Sequence, residues 1–346
     1  MQLLSQNVQN LKKRISQRDI AKILGINVST VSRALRDQSG VSAALREKIE
    51  RLAQEQCYRP NPFAISLRFD TTRTIGIVVP DVSFSPYAHF VKRVEAEARK
   101  AGLLCIIMDS DDSYAGEVEC VELLESMHVE GVILSLSQET TDFTHLERLK
   151  RNHIPLVLFD RTADIDISSV AINDEQLARQ ATLHLIDGGA RRIAFLGGPN
   201  LLKQTTDRKH GYIEALHERG IPVRKELVKC SSLNFNSGLS DTLELLSLPE
   251  PPDAIVAVHG LLAVSSIQAV VSKGLRVPED LSIIGFMSDW VSEMATPRIT
   301  FVRHSPKEFG TKVFKLLQDQ MNGHDEVCHV TAGARLEVRE STRKVP

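Results

Sequence analysis

The chain lacks the features that mark secreted and membrane proteins. None of the apolar runs in its 346 residues approaches the roughly 18 residues that a membrane-spanning helix needs. Residues 1–14 are polar and end in a Lys-Lys-Arg cluster, without the apolar stretch of a signal peptide. The five cysteines are an odd number, widely spaced, with no C-x-x-C pair that would indicate a zinc site or a thioredoxin-like motif. We therefore expect a cytoplasmic protein with no membrane partner.

Motifs that bind phosphates or catalyse hydrolysis are missing as well. The sequence holds no G-x-G-x-x-G, G-x-x-x-x-G-K-[ST], H-E-x-x-H or G-x-S-x-G pattern. Its 11 histidines and its carboxylates are scattered without the spacing of metal ligands. We therefore expect no catalytic residue, no metal site, no cofactor and no enzymatic activity.

The net charge of −2 conceals an asymmetry along the chain. Residues 1–70 hold 12 Lys and Arg against 6 Asp and Glu, a balance of +6. Residues 71–346 hold 30 against 38, a balance of −8. A small basic head on a large acidic body favours a partner that carries negative charge. Chance clustering of charges would give the same asymmetry.

The basic head contains a helix-turn-helix pattern. The first predicted helix follows Ser16, a candidate N-cap, and ends before Gly25. The second covers residues 28–35, and a third over residues 43–56 closes a small core. Two short helices joined by a tight turn with glycine are typical of DNA-binding proteins. An ordinary helical hairpin with a solvated face has the same pattern.

The second helix has an outward face that suits the DNA major groove. On this face we predict Val28, Ser29, Ser32, Arg33 and Arg36. Val28 can contact a thymine methyl group, and the fork of Arg33 matches the O6 and N7 atoms of guanine. Thr30 and Ser32 are candidate phosphate ligands.

A segment rich in proline separates the head from the body. Asn61 is a good N-cap and Pro62 a good first residue for a helix of about two turns, which is too short to be stable alone in water. The segment is either a linker that becomes helical on docking or an inert tether. We divide the chain into an N-terminal extension (1–14), a headpiece (15–59), a hinge (60–72) and a core (73–346).

The body alternates short apolar runs with longer helical segments. Strands are predicted at residues 74–79, 103–108, 131–136, 155–159, 169–172, 192–197, 254–258, 282–286 and 300–302. Helices are predicted at residues 88–101, 116–127, 174–187 and 209–219. Nearly continuous apolar runs are typical of parallel strands covered on both faces, and the alternation indicates a doubly wound α/β architecture. Nine strands favour two similar lobes over one sheet.

Polar residues follow several of these strands. In doubly wound sheets ligands bind beyond the carboxyl ends of the strands, although most polar groups there only cap helices or form turns. The candidate pocket residues are Ser135, Asp160, Arg161, His259, Ser288 and Asp289, with Asp109 and Asp111 nearby.

Several strings of residues are similar to those of a known family. The run ISQRDIAKILGINVSTVSRAL (15–35), the hinge YRPNPFAISLR (58–68) and the string GLRVPEDLSIIGF (274–286) resemble the lactose/galactose-repressor (LacI/GalR) family of bacterial transcriptional regulators. The order of the pieces agrees as well. Further matches are TIGIVVPDVS (74–83), FDRT (159–162), RRIAFLGGP (191–199) and LEVREST (336–342).

This resemblance implies an all-α headpiece, a hinge helix and a two-lobed core similar to periplasmic sugar-binding proteins. It implies a homodimer on a pseudopalindromic, double-stranded DNA operator, and hence a nucleoid-associated protein. An effector between the lobes would change the hinge geometry and the affinity for DNA. Leu67 matches a leucine that wedges into the minor groove. The predicted DNA contacts are Ser16, Gln17, Val28, Ser29, Thr30, Ser32, Arg33, Arg36, Ser42, Asn61 and Leu67.

The resemblance also implies an effector site, which departs from the family pattern in places. Asp160 and Arg208 match ligand-binding residues, whereas His259-Gly260 and Met287-Ser288 replace the usual Asn-Asp and Asp-Asp. Three explanations of these departures stay open: the effector is unusual, neighbouring residues have taken over the contacts, or the site no longer binds tightly. Trp290 is a stacking or a packing residue. The predicted effector contacts are Tyr87, Ser135, Asp160, Arg161, Arg208, His259, Ser288, Asp289, Trp290 and His304.

The leading interpretation is therefore a ligand-responsive transcriptional regulator, most simply a repressor, with a sugar-like effector. A purine- or nucleoside-responsive regulator fits the same sequence. A small-molecule-binding protein without DNA function is disfavoured by the basic head and the missing signal peptide. An α/β enzyme, such as a sugar kinase or a dehydrogenase, is disfavoured by the missing phosphate and dinucleotide motifs.

Overall fold

The computed structural model describes residues 15–35, 38–56, 58, 71–286 and 294–345. The chain separates into two compact units, residues 1–72 and residues 73–346. Each unit has hydrophobic core clusters of its own. Within the described ranges, none of the helices combines the length and the apolar character needed to cross a membrane.

The described part of the N-terminal unit consists of three helices: α1 (Gln17–Leu24), α2 (Val28–Ala34) and α3 (Ala43–Glu55). A capping box starts α1, because the Ser16 hydroxyl accepts a hydrogen bond from the Asp19 N–H (3.3 Å) and the Asp19 carboxylate accepts one from the Ser16 N–H (2.8 Å). Gly25, with φ of 65°, ends the helix in the left-handed conformation that glycine adopts without strain. These local signals confirm the predicted helix-turn-helix.

The core of this unit is small and entirely local. Ile20 of α1, Val31 of α2 and Ile49 of α3 are fully buried against one another. Apolar residues at helical spacing supply this contact from each helix, as the sequence pattern predicts.

The second unit contains two six-stranded sheets, one in each of two lobes. The first sheet runs in the order β11 (His329–Thr331), β5 (Ser169–Ala171), β4 (Leu156–Phe159), β3 (Gly131–Leu134), β1 (Thr74–Val79) and β2 (Leu104–Asp109). The second runs in the order β12 (Ala334–Glu337), β10 (Thr300–His304), β9 (Ser282–Phe286), β8 (Ala254–Ala257), β6 (Ile193–Gly197) and β7 (Val228–Cys230). Neighbouring strands are parallel except β10 and β12, which are antiparallel.

Helices cover the sheets and bury the apolar strands. Their bounds are α4 (Ser85–Lys100), α5 (Tyr114–Ser126), α6 (Thr144–Arg151), α7 (Asp174–Asp187), α8 (Lys203–Glu218), α9 (Phe235–Leu246), α10 (Gly260–Ser272) and α11 (Pro306–Met321). Helices α4 and α11 share a core with one face of the first sheet, while α5 and α6 share one with the other face. Helices α7 to α10 pack on the second sheet. The predicted doubly wound, two-lobed α/β architecture is confirmed.

The chain crosses between the lobes three times. The first sheet takes β1 to β5 and then β11, whereas the second takes β6 to β10 and then β12. Crossings therefore follow β5, β10 and β11. Each lobe is assembled from separate stretches of sequence, and the loops after the strands of both sheets meet between the lobes.

Candidate functional site

Helix α2 presents a polar face to solvent. Val28 is 40% exposed, and Ser29 and Arg33 are exposed as well. The opposite face is buried by Val31 and Ala34, because apolar residues recur there at helical spacing. Two small side chains in the first turn and a cation in the last turn are therefore exposed on this helix.

Among the described residues of the predicted outward face, Ser32 is the one that the structure corrects. It is only 6% exposed, and it follows Val31 directly and lies three positions before Leu35. Both neighbours pack against the core, so Ser32 falls at the border of the buried stripe and away from the outward face. Thr30, the other candidate phosphate ligand, is half-buried.

The remaining DNA-contact candidates lie at helix starts or outside the described residues. The Ser16 hydroxyl caps α1, and that of Ser42 caps α3 by accepting a hydrogen bond from the Leu45 N–H. Gln17 is the half-buried first residue of α1. The residues outside the described ranges are Arg36, Asn61 and Leu67.

Between the lobes of the second unit, three predicted residues form a hydrogen-bonded group. Tyr87 on α4 donates to the Asp160 carboxylate (2.9 Å), and its hydroxyl lies 3.4 Å from that of Ser135. Gln204 on α8 donates to the same carboxylate from the other lobe (3.2 Å). Burial raises the pKa of Tyr87, so the phenol stays protonated and serves as a donor. Asp160 thus collects donors from both lobes.

Arg208 is the most buried charge of this region, at 1% exposure. Its Nε donates to Asp174 (2.7 Å), Nη1 donates to the Val258 carbonyl, and the guanidinium lies 4.3 Å from the centre of the Phe286 ring. Burial raises the pKa of Asp174 to about 6, against the opposing effect of the Arg208 charge. Among the described residues, nothing pairs with Nη2.

Two imidazoles flank the same space. His259 precedes α10 and caps it, with Nδ1 accepting from the Leu261 N–H (3.3 Å), while its ring stacks on Phe84 of the other lobe with centroids 4.7 Å apart. Burial, with the nearby arginines, lowers the pKa of His259 to about 3, so the ring is neutral. His304 packs on Phe309, and in the described structure its buried Nδ1 has no hydrogen-bond partner.

Arg161 lies beside this group, and its charge acts on Tyr87, Asp160 and His259, but its hydrogen bonds go to other residues. Its guanidinium is paired with Asp112 and also approaches the Leu136 carbonyl (3.5 Å). The neighbouring Gln138 accepts a hydrogen bond from the Leu233 N–H of the second lobe (3.2 Å). This loop therefore ties the lobes together beside the Asp160 group.

The predicted residues thus separate into three sets. Tyr87, Ser135, Asp160, Arg208, His259 and His304 surround one inter-lobe region, Arg161 lies at its edge, and Ser288, Asp289 and Trp290 are outside the described residues. Asp109, considered as a neighbour, instead accepts hydrogen bonds from the Val82 and Asp111 N–H groups as a turn residue.

Sequence reasoning missed three residues of this region: Phe84, Asp174 and Gln204. Asp174 carried a usable signal, since this carboxylate lies three residues after β5 at the start of a predicted helix. Phe84 and Gln204 carried none, because their partners lie 175 and 44 residues away. The whole arrangement is suited to binding, with buried donors and an anionic acceptor among aromatic rings.

Comparisons with known proteins cover both units. The family described as "Bacterial regulatory proteins, lacI family" matches residues 16–61, and that described as "Periplasmic binding protein-like domain" matches residues 182–342. The HTH-type transcriptional repressor CytR of Escherichia coli (strain K12) is 30% identical over 337 residues, covering 96% of this chain and 97% of that protein. Catabolite control protein A of Priestia megaterium is 31% identical over 329 residues, covering 94% and 98%.

A solved structure, the transcriptional regulator CelR-cellobiose complex, resembles the chain with a TM-score of 0.72. It is 29% identical, and the match covers 95% of this chain and 100% of that one. CytR is named as a repressor of transcription and CelR as a transcriptional regulator.

Proposed function

Because the chain belongs to the LacI family of bacterial regulatory proteins, we propose that it is a dimeric, effector-responsive repressor of transcription. It binds a pseudopalindromic DNA operator through α2 and a small, hydroxyl-bearing effector between the lobes of the second unit. The observation that carries this proposal is the coexistence in one chain of an exposed polar helix face and a buried polar cluster with unpaired donors.

The DNA-binding part of the proposal rests on the exposed face of α2. Val28 and Ser29 are small enough to let the helix approach base edges closely, and Arg33 offers two donors to guanine. The surrounding segment, residues 1–70, carries the balance of +6 that phosphate contacts require.

The DNA contact is tested by comparing Arg33→Ala with Arg51→Ala. Arg51 is a matched control, since it is an exposed arginine of the same unit on α3. Operators are first selected from randomised duplexes, and affinities for operator and random DNA are then measured by fluorescence anisotropy. Arg33→Ala is expected to cost about 1–3 kcal/mol of discrimination at one base pair, and Arg51→Ala none. Equal losses on operator and random DNA would reduce Arg33 to a phosphate contact.

The effector part rests on the hydrogen-bonding groups left over between the lobes. Arg208 Nη2 requires an acceptor, and the Asp160 carboxylate accepts donors. Hydroxyl groups of a sugar supply both, and aromatic rings around them suit its apolar face. The similarity to a regulator in complex with cellobiose supports this ligand class.

Nucleosides are the second candidate class. Phe84 and His259 come from different lobes and already stack with an interplanar angle of 27°. A flat base inserted between the two rings would keep the same kind of contact on both of its faces.

A thermal-shift screen of sugars and nucleosides separates the two classes. A ligand at 100 times its Kd is expected to add about 2.7 kcal/mol of stability. Asp160→Asn should abolish the shift from a sugar, whereas Asp166→Asn, an exposed carboxylate of the same lobe, should not. A sugar-induced shift that survives Asp160→Asn would contradict a sugar bound at this carboxylate, and a nucleoside-induced shift that survives it would favour the stacking site of Phe84 and His259.

The dimer is supported by the free edge of the first sheet. Strand β2 ends that sheet, and Leu104 (61% exposed) and Ile107 lie open to solvent on it. An apolar edge of this kind is a surface that a second copy would cover. In sedimentation velocity, Leu104→Glu is expected to shift the protein towards monomer, and Leu123→Glu, at an exposed leucine of α5, is the control. Dimers that persist in Leu104→Glu would place the interface elsewhere.

A further inference from the structure

We propose that Glu175, His210 and Glu214 form a binding site for one divalent transition-metal ion on the second lobe. Glu175 belongs to the first turn of α7, and the other two residues lie one turn apart on α8. His210 Nδ1 is 3.2 Å from a Glu175 carboxylate oxygen. One donor atom of each residue lies within 4.8 Å of the others.

The spacing of the donors is close to what a metal ion requires. Bonds of about 2.0–2.2 Å to imidazole nitrogen and carboxylate oxygen place ligand atoms roughly 3–3.5 Å apart. The Glu175–His210 pair already has this separation. A small rotation of the Glu214 side chain, which is exposed and free to move, completes the set.

The two helices are held rigidly where the donors lie. Gly211 adjoins His210, and a Cβ atom at this position would lie 2.0 Å from the Glu175 carbonyl oxygen. The backbones of α7 and α8 therefore touch at this crossing, which only glycine permits. The backbones that carry the donors are thus fixed by two packed helices, so the conformational entropy lost on metal binding is limited to that of the three side chains.

In the described structure the cluster also carries negative charge that no lysine or arginine side chain pairs with. Other carboxylates of α7 and α8 pair with arginine or lysine: Glu218 with Arg179, Asp187 with Arg219, and Asp207 with Lys203. In the described part of the chain, by contrast, neither Glu175 nor Glu214 has a lysine or arginine within ion-pair distance. Two carboxylates beside one imidazole leave a negative charge that a cation neutralises.

The donor set selects the class of metal. Imidazole together with carboxylates suits zinc, nickel or cobalt, whereas magnesium and calcium prefer oxygen ligands alone. The sequence shows only the four-residue spacing of His210 and Glu214 on one helix, since Glu175 precedes His210 by 35 residues and the helix crossing alone brings it to them.

Calorimetric titration of the chelator-treated full chain with ZnCl₂ tests the site. The wild type is expected to bind one zinc ion that His210→Ala abolishes, and Glu214→Gln should weaken its affinity by more than about tenfold. His217→Ala is the matched control, since His217 is an exposed histidine on the same helix, and it should bind as the wild type does. Because His210 is 59% exposed, its replacement leaves the fold intact, which circular dichroism verifies.

Cobalt provides a second readout that excludes cysteine. Co²⁺ bound to nitrogen and oxygen gives weak visible bands without the ultraviolet charge-transfer band of a thiolate, and Cys328 is an exposed thiol. The proposal is overturned if wild-type protein binds no zinc, if His210→Ala keeps the same stoichiometry, or if the cobalt spectrum shows thiolate ligation.

Discussion

The two units place their functional side chains in opposite environments. On α2, Val28, Ser29 and Arg33 project into solvent from a helix whose other face forms the core. Between the lobes, Asp160 and Arg208 are bonded to partners from several elements and surrounded by aromatic rings. The side chains on α2 lie outside the core of their unit, whereas those between the lobes are part of the packed interior.

In the N-terminal unit, therefore, a substitution can change binding without changing stability, whereas between the lobes of the second unit one substitution changes both. Exposed side chains on a helix change stability little when they are replaced. A buried, hydrogen-bonded charge leaves an uncompensated partner when it is removed. We therefore expect substitutions on α2 to alter DNA binding alone, and substitutions between the lobes to alter ligand binding and stability together.

The largest effect on stability is expected for Arg208→Met, which leaves the buried Asp174 carboxylate without its ionic partner. The free energy of unfolding of the second unit should fall by about 3–5 kcal/mol, measured by urea denaturation followed by circular dichroism. Arg179→Met is the matched control, since this arginine forms a half-exposed pair with Glu218 and should cost at most about 1 kcal/mol.

The double variant Arg208→Met/Asp174→Asn sharpens the result. Removing both charges should recover part of the loss, because no unpaired charge stays buried. Losses that simply add would show that the pair is not coupled.

A pH effect of intermediate size is expected from His259. Its pKa is lowered from 6.5 to about 3 in the folded protein, so between these values the unfolded chain binds a proton that the native state does not. Stability therefore falls with pH below 6.5, by about 1.4 kcal/mol per pH unit. His259→Asn, which keeps an N-cap, should remove this slope, amounting to about 2 kcal/mol between pH 6.5 and 5.

The titration of Asp174 also contributes to the pH dependence of stability. Asp174 has a raised pKa of about 6, so its native state binds a proton more tightly and gains stability as pH falls from 6 towards 3.8, opposite to His259. Because Asp174 is present in both proteins, the difference in the pH dependence of unfolding free energy between wild type and His259→Asn reports on His259. His217→Asn, which replaces an exposed histidine, is the control. If it changed the slope of stability with pH by the same amount, the slope would come from the overall charge of the protein and not from His259.

In the N-terminal unit a smaller, local effect is expected from Ser16→Ala. Loss of the capping box should cost about 1 kcal/mol. Hydrogen exchange measured by mass spectrometry should quicken about fivefold in peptides of α1 to α3, with the second unit unchanged. Faster exchange in the second unit would mean that the two units unfold together.

The smallest effect is expected from Val28→Ala. Stability should change by less than about 0.5 kcal/mol, because Val28 is 40% exposed. Replacing thymine by uracil in the operator removes a methyl group, which should cost the wild type about 0.8 kcal/mol at one position and the variant much less. A variant as sensitive to uracil as the wild type would contradict the methyl contact.

The sequence predicted best where signals are local. The bounds of β1 and β9 match the predicted runs at residues 74–79 and 282–286, because continuous apolar stretches end at polar or turn residues. The capping residue and the glycine of α1 give its limits directly. The sequence analysis placed Tyr87 and Asp160 in the same predicted site, and the structure adds the hydrogen bond between them.

What the sequence missed depends on tertiary contact. Strands β7, β11 and β12 have three or four residues that are largely half-buried or exposed, so they lack an apolar run. Helix α10 is apolar on nearly all sides, which hides the helical period. Asp174 and Arg208 lie 34 residues apart, and no local pattern joins them. Ser32 was misplaced because a border position cannot be assigned from periodicity alone.

The three crossings between the lobes have a consequence for synthesis on the ribosome. Strands β1 to β5 emerge early, yet α11, which covers the first sheet, begins 135 residues after β5 and β11, which extends it, begins 158 residues after β5. At 5–20 residues per second this delay is on the order of ten seconds. Throughout that time the apolar face later covered by Phe309 and Val313 is open to water. The first lobe therefore completes its core only after most of the second lobe has been made.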